Sequence, residues 1–227
     1  MFSTPSSAPS SPTSAPTVRR LARRAGSTRA ALVAVLLALG FVASACSDVD
    51  GTQGKAYLTG NGQIAVWAEA ERAKPVPLRG DTLDGGTWDI ADALGKPVVV
   101  NVWWSNCGPC RKEMPMLQAA ADELKDEVTF VGVNTRDNSA ANGIAFERSL
   151  GVTYPSIYSP DGEALLALKG LPRALPATVV LDDQGRVAAT VSGELPSKLT
   201  LTQLVQCIVD GDAEDNCNVT GKAAGTS

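Results

Sequence analysis

Histidine is missing from all 227 positions of the chain. Its absence excludes Ser-His and Cys-His nucleophile pairs, imidazole general bases, and every zinc or copper site that uses an imidazole ligand. Chemistry must then run on thiols, carboxylates or bound cofactors. Basic residues are also scarce beyond the start of the chain. Five arginines fall between Arg19 and Arg29 with no acid among them, and the stretch after residue 45 keeps 15 basic against 24 acidic side chains, a net of −9. An acidic chain without a basic stripe makes a poor nucleic-acid binder. No apolar run reaches membrane-span length. The longest, in AALVAVLLALGFVASAC, covers about 15 residues, short of the roughly 20 that a spanning helix needs but suited to a signal-peptide core.

What is present divides the chain. Residues 1–17 are almost wholly Ser, Pro, Thr and Ala, a composition that cannot bury a core. The arginines and the apolar run follow, so residues 1–45 read as an extended signal peptide. Its end, Ala43-Ser44-Ala45-Cys46, resembles a bacterial lipoprotein box, with Cys46 as the lipidated residue; the same tetrapeptide fits ordinary cleavage after Ala45. Residues 46–75 are polar and weakly patterned, a tether. Residues 76–211 hold a domain, and 212–227 form a polar tail.

Within the domain, strands and helices alternate. The β-branched run Val98–Val102 has the solid apolar character of a central strand covered on both faces. CGPCRKEMPMLQAAADELKD places Met114, Leu117, Ala120, Ala121 and Leu124 on one helical face. EVTFVGVNT reads as a strand, SAANGIAFERSLG as a helix closed by Gly151, YPSIYS as a strand and GEALLALKG as a short helix. ATVVLDD and GRVAATVSG form a strand pair around an Asp-Gln-Gly turn, and SKLTLTQLVQCIVDG is a final amphipathic helix. The order predicts an α/β fold with a central mixed β-sheet flanked by helices.

The chemistry concentrates at Cys107 and Cys110. At a strand-to-helix junction, the first sulfur meets unpaired backbone N–H groups and the positive end of the helix dipole, which favour thiolate. The second thiol lies one turn on. Pro109 falls in the first turn, where its missing N–H costs nothing, and Arg111 and Lys112 add positive charge. One accessible acidic thiol and one recessed resolving thiol are what exchange through a mixed disulfide requires. A zinc half-site would need Cys207 and Cys217 at an unsuitable separation. Haem attachment would need histidine where Arg111 stands, and a two-residue loop makes a poor structural staple. No cofactor or metal is expected.

The segment VVVNVWWSNCGPCRKEMP resembles the thioredoxin superfamily, and more narrowly the TlpA/ResA-like thiol–disulfide oxidoreductases, over about Val76 to Val209. The resemblance implies a thioredoxin-like fold, with Trp103 packed behind the site and Pro115 kinking its helix. It makes Pro176 a cis-proline beside the disulfide, with Leu175 offering backbone hydrogen bonds to substrate; Pro172 is the alternative for that role. Asn101 stands where thioredoxin keeps a buried aspartate. Asp137 matches a family carboxylate that binds substrate and tunes Cys110, although a helix cap is an equal reading. Asn106 replaces a tryptophan common before the first cysteine.

In an exported chain, Cys207 and Cys217 are expected to pair and pin the tail, contributing roughly 2–3 kcal/mol. The resemblance further implies reduction of apocytochrome c CxxCH cysteines or another exported thiol protein, a CcdA-type membrane electron donor, and a lipid-anchored location on the extracytoplasmic face of a bacterial membrane. A disulfide-forming oxidase is the alternative, and a copper metallochaperone the non-enzymatic one.

Overall fold

A computed structural model of the chain describes residues 57–58, 63–168 and 174–211. Residues 1–45, read as a signal peptide, together with Cys46, Pro172, the tail and Cys217, lie outside the described residues. Val98–Trp103 (β5) is buried at every position, and its alternation explains why the run is continuously apolar. Val98, Val100 and Val102 enter one core, while Val99 and Trp103 enter the other.

Around β5, Tyr57–Leu58 (β1), Ile64–Val66 (β2), Thr129–Thr135 (β6), Ser156–Ser159 (β7), Ala177–Leu181 (β8) and Val187–Ser192 (β9) complete a seven-stranded sheet in the order β1-β2-β9-β8-β5-β6-β7. β5, β6 and β7 run parallel, and β8 and β9 join antiparallel, so the sheet is mixed. Arg79–Asp81 (β3) and Thr87–Asp89 (β4) form a separate hairpin. Gly108–Glu123 (α1), Ala140–Leu150 (α2) and Lys198–Asp210 (α3) supply the core on one face, with Met114, Leu117, Phe146, Leu201 and Leu204. The opposite face is closed by Val76, Leu78, Ile90 and Leu168 from extended segments and short 3-10 turns.

The helix ends follow the signals in the sequence. Gly151 closes α2 in the left-handed conformation, φ 70°, and Ser197 caps α3 by accepting from the Thr200 N–H. Two expectations change. The stretch Glu163–Ala167 is a 3-10 turn, and the tether is not all tether. Ile64 and Val66 pair with β9 and are 3% and 1% exposed. Beyond them Arg72 reaches Asp182 at 3.1 Å, both side chains buried, while Arg186 binds Asp182 at 2.7 Å and Glu69 at 2.9 Å. The domain therefore begins before residue 76, because an edge strand and an ion-pair network bind residues 64–72 to the β8–β9 turn.

Candidate active site

The loop Trp104–Asn106 carries the chain from β5 into α1, and Cys107 is the N-cap residue of that helix, φ −96° and ψ 110°. Its sulfur accepts from the Cys110 N–H at 3.2 Å, and Cys107 and Cys110 are joined as a disulfide. Both sulfur-bearing residues are buried, Cys107 at 8% exposed and Cys110 fully, so Cys107 is the outer of the two without being the exposed residue expected. Orphan N–H groups and the dipole of a 16-residue helix face the outer sulfur. Pro109 occupies the first turn, and Pro115 sits inside the helix, where it removes one N–H from the ladder.

Neighbouring strands bring further residues to the same end of the sheet. Ala177 pairs with Val102 across β8 and β5, so the residue before it, Pro176, falls level with Trp103 and the start of the cysteine loop. The Leu175–Pro176 bond is cis; Leu175 is half-buried, and the Pro176 carbonyl accepts from the Gly193 N–H at 3.0 Å. Trp103 is fully buried, stacks on Phe146 with ring centroids 5.2 Å apart, and donates its indole N–H to Ser156 Oγ at 3.3 Å. Arg111 also meets Phe146, its guanidinium 4.5 Å from the ring centroid.

Asp137 takes a different place from the one expected. It is 2% exposed, and its carboxylate accepts from the Ser105 N–H at 3.2 Å, from the Ser105 hydroxyl, and from Asn134 Nδ2 at 2.6 Å. Its own carbonyl accepts from Tyr158 Oη at 3.0 Å. A carboxylate so enclosed cannot meet a substrate; it fixes the loop that precedes Cys107. Nor does it cap α2, whose N-cap is Ser139. Arg136, at φ 63° the one non-glycine residue with positive φ among the described residues, makes the turn that aims Asp137 inward.

Glu113 is a site residue that the motif alone does not announce. It is 1% exposed, on the same face of α1 as Cys110 and Leu117. Asn101 Nδ2 donates to one carboxyl oxygen at 2.8 Å and the Leu195 N–H to the other at 2.9 Å. Burial raises its pKa to about 7, opposed by those two hydrogen bonds, with the Glu194 charge adding to the rise. A charged residue in register with Cys110, Met114 and Leu117 on the apolar face of the helix was the available signal.

Cys207 is disulfide-bonded; its expected partner Cys217 lies outside the described residues. Among the described residues no group of three or more Cys, Asp or Glu side chains is arranged to hold a metal ion.

The Redoxin family model matches residues 69–208, which include all these site elements. The chain belongs to the Redoxin family. Among curated proteins, this redoxin is 30% identical over 117 residues to the thiol-disulfide oxidoreductase ResA of Bacillus subtilis, a match spanning 51% of the chain and 64% of ResA. Among solved structures, a DsbF homologue from Corynebacterium diphtheriae is 36% identical with a TM-score of 0.61, covering 66% of the chain and 96% of that structure. A secreted thiol-disulfide isomerase from Corynebacterium glutamicum is 31% identical with a TM-score of 0.62, covering 68% and 96%. The redoxin is thus a thiol–disulfide oxidoreductase of thioredoxin-like fold, with Cys107–Cys110 as its CxxC pair. An outer sulfur at a helix N-terminus and an inner sulfur behind it are the parts that disulfide exchange uses.

Proposed function

We propose that this redoxin is a membrane-tethered reductase of disulfides in exported proteins, with apocytochrome c CxxCH cysteines as substrate. The Cys107 thiolate attacks one sulfur of the substrate disulfide, and the other leaves as a thiolate that takes up a proton. Cys110 then loses its proton toward Glu113 and attacks Cys107 Sγ, releasing the second substrate thiol and closing the Cys107–Cys110 disulfide. Two electrons have passed to the substrate, and a membrane dithiol donor of the CcdA type returns them. Leu175, held beside the disulfide by the cis-Pro176, presents its backbone to the bound substrate chain, and Trp103 supports the disulfide from behind.

The observation that carries this reading is the buried Glu113 carboxyl, placed on the face of Cys110 and poised to change charge near neutrality. The Gly-Pro pair between the cysteines supports the reducing direction. Lipid attachment at Cys46 supplies the tether and an extracytoplasmic location, and intact-mass analysis of membrane fractions tests it: an unmodified Cys46 in a soluble product removes that part of the proposal.

A second reading has the same thiols inserting or rearranging disulfides, and the secreted isomerase from Corynebacterium glutamicum favours it. The reduction potential of the pair, measured with Cys46 replaced by serine, separates the two. A value near roughly −270 mV supports the reductase, and one near roughly −120 mV supports the oxidase. Normal haem-staining cytochrome c in cells lacking the protein would rule out the apocytochrome substrate.

A further inference from the structure

One hydrogen-bond network ties the ends of β5, β6 and β7 together beside the disulfide. The register sets Trp103 opposite Asn134 and Asn134 opposite Tyr158, so the three strands finish level. Asp137 sits at the centre of the network, just beyond Arg136, whose N–H donates to the Pro160 carbonyl at 3.1 Å. The Asp137 carboxylate accepts from the Ser105 N–H at 3.2 Å and from the Ser105 hydroxyl, both following β5, and from Asn134 Nδ2 on β6 at 2.6 Å. Its carbonyl accepts from Tyr158 Oη on β7 at 3.0 Å. Among the described residues no cation pairs with this carboxylate, so hydrogen bonds alone hold a charged group that is 2% exposed. Such a group fixes its donors firmly, because releasing one leaves a buried anion less well held.

Ser105 is the donor that matters for the chemistry. It lies inside the turn closed by the Cys107 N–H donating to the Trp104 carbonyl at 3.0 Å. That turn delivers Cys107 to the N-cap position with extended backbone, φ −96° and ψ 110°, where the unpaired N–H groups of α1 face its sulfur. In the oxidised protein the bond to Cys110 also holds Cys107 in place. Reduction breaks that tie, and the turn with its Asp137 clamp is what remains. A thiolate gains from the helix end only while its sulfur stays there, since the effect is confined to the first turn.

We propose that Asp137 is a positioning residue of the reduced enzyme: through Ser105 it keeps Cys107 at the start of α1 once the disulfide has opened, and so keeps the attacking sulfur as a thiolate. The negative charge of Asp137 taken alone opposes a thiolate nearby. Position and field therefore act in opposite directions, and substitutions can separate them. The inference rests on Cys107 being the nucleophile.

The test uses the full-length chain, reduced with dithiothreitol and freed of it. The rate at which iodoacetamide alkylates Cys107 is followed across a pH series, with the modified residue located by peptide mass. The wild type should inflect below the roughly 8.5 of a free cysteine. Ser105→Ala should move the inflection up toward that value, and Ser105→Thr, which keeps the hydroxyl, should not. Asp137→Asn should also move it up, since an amide brings its own N–H groups to a point where three donors already converge. An unmoved inflection in Ser105→Ala overturns the proposal, and so does a downward move in Asp137→Asn, which would be the effect of charge alone. Should Asp137→Asn fail to fold, the two Ser105 variants decide the matter in its place. Faster alkylation of Cys110 than of Cys107 in the wild type would instead overturn the assignment of nucleophile on which the proposal stands.

Discussion

At the scale of the residue, the site divides its labour between two sulfurs and one acid. Cys110→Ser should trap substrate as a mixed disulfide on Cys107, visible as a reducible adduct on a non-reducing gel, whereas Cys107→Ser should form none. An adduct on Cys107→Ser would reverse the assignment of nucleophile. Glu113→Gln keeps the shape of the carboxyl but removes its ability to take a proton. Its expected cost is about 10²–10⁴-fold in the resolving step, together with loss of the inflection near pH 7 in the rate profile. An unchanged profile would assign Glu113 to structure alone. Both cysteines could be read from CGPC and its neighbours, since strand, proline and basic residues all mark a helix start. Glu113 could be located but not interpreted, because only the fold shows that Asn101 and the Leu195 N–H converge on it.

At the scale of the element, glycine and edge contacts decide what the strands can do. Gly132→Ala would force its methyl group against Ser156 and Trp103, and the expected loss is about 1–3 kcal/mol in denaturant unfolding. A variant as stable as the wild type would show that β6 can shift and that the Trp103–Ser156 bond is dispensable. At the other side of the sheet, Arg72→Ala removes a buried ion-pair partner from Asp182, which keeps Arg186 and the Gln184 N–H. The expected cost is about 1–3 kcal/mol, and no change in stability would return residues 64–72 to the role of a tether. This segment is hard to see in the sequence because three-residue strands give almost no periodicity. Ile64 and Val66 gain their meaning from β9, more than a hundred positions later.

At the scale of the whole molecule, two raised carboxyls set how stability depends on pH. Glu113 and Glu147 each bind protons more tightly than an ordinary glutamate does, holding them to about pH 7. The folded state therefore carries more protons than the unfolded chain across the window from the usual glutamate range up to that pH, and stability must fall as pH rises through it. Denaturant midpoints should be higher at pH 5 than at pH 8. Glu147→Gln should narrow the difference, and a wild type that gains stability between those pH values would contradict both shifts. The acidic balance of the chain works in the same direction, since deprotonating buried acids adds negative charge to a surface already rich in it.

The order of residues alone was enough for the chemistry and the architecture. A thiol pair at a strand–helix junction, in a chain without histidine, leaves disulfide exchange as the reaction, and alternating periodicities yield a mixed sheet with helices. These are local properties, written in residues close together along the chain. Where the acids lie and what they touch came only with the packed fold. Asp137 faces the Ser105 loop instead of a substrate, and Glu113 stands where Asn101 and α3's leading loop can bind it. Such placements depend on burial and on partners distant in sequence, and those two conditions set the proton affinity of a carboxyl.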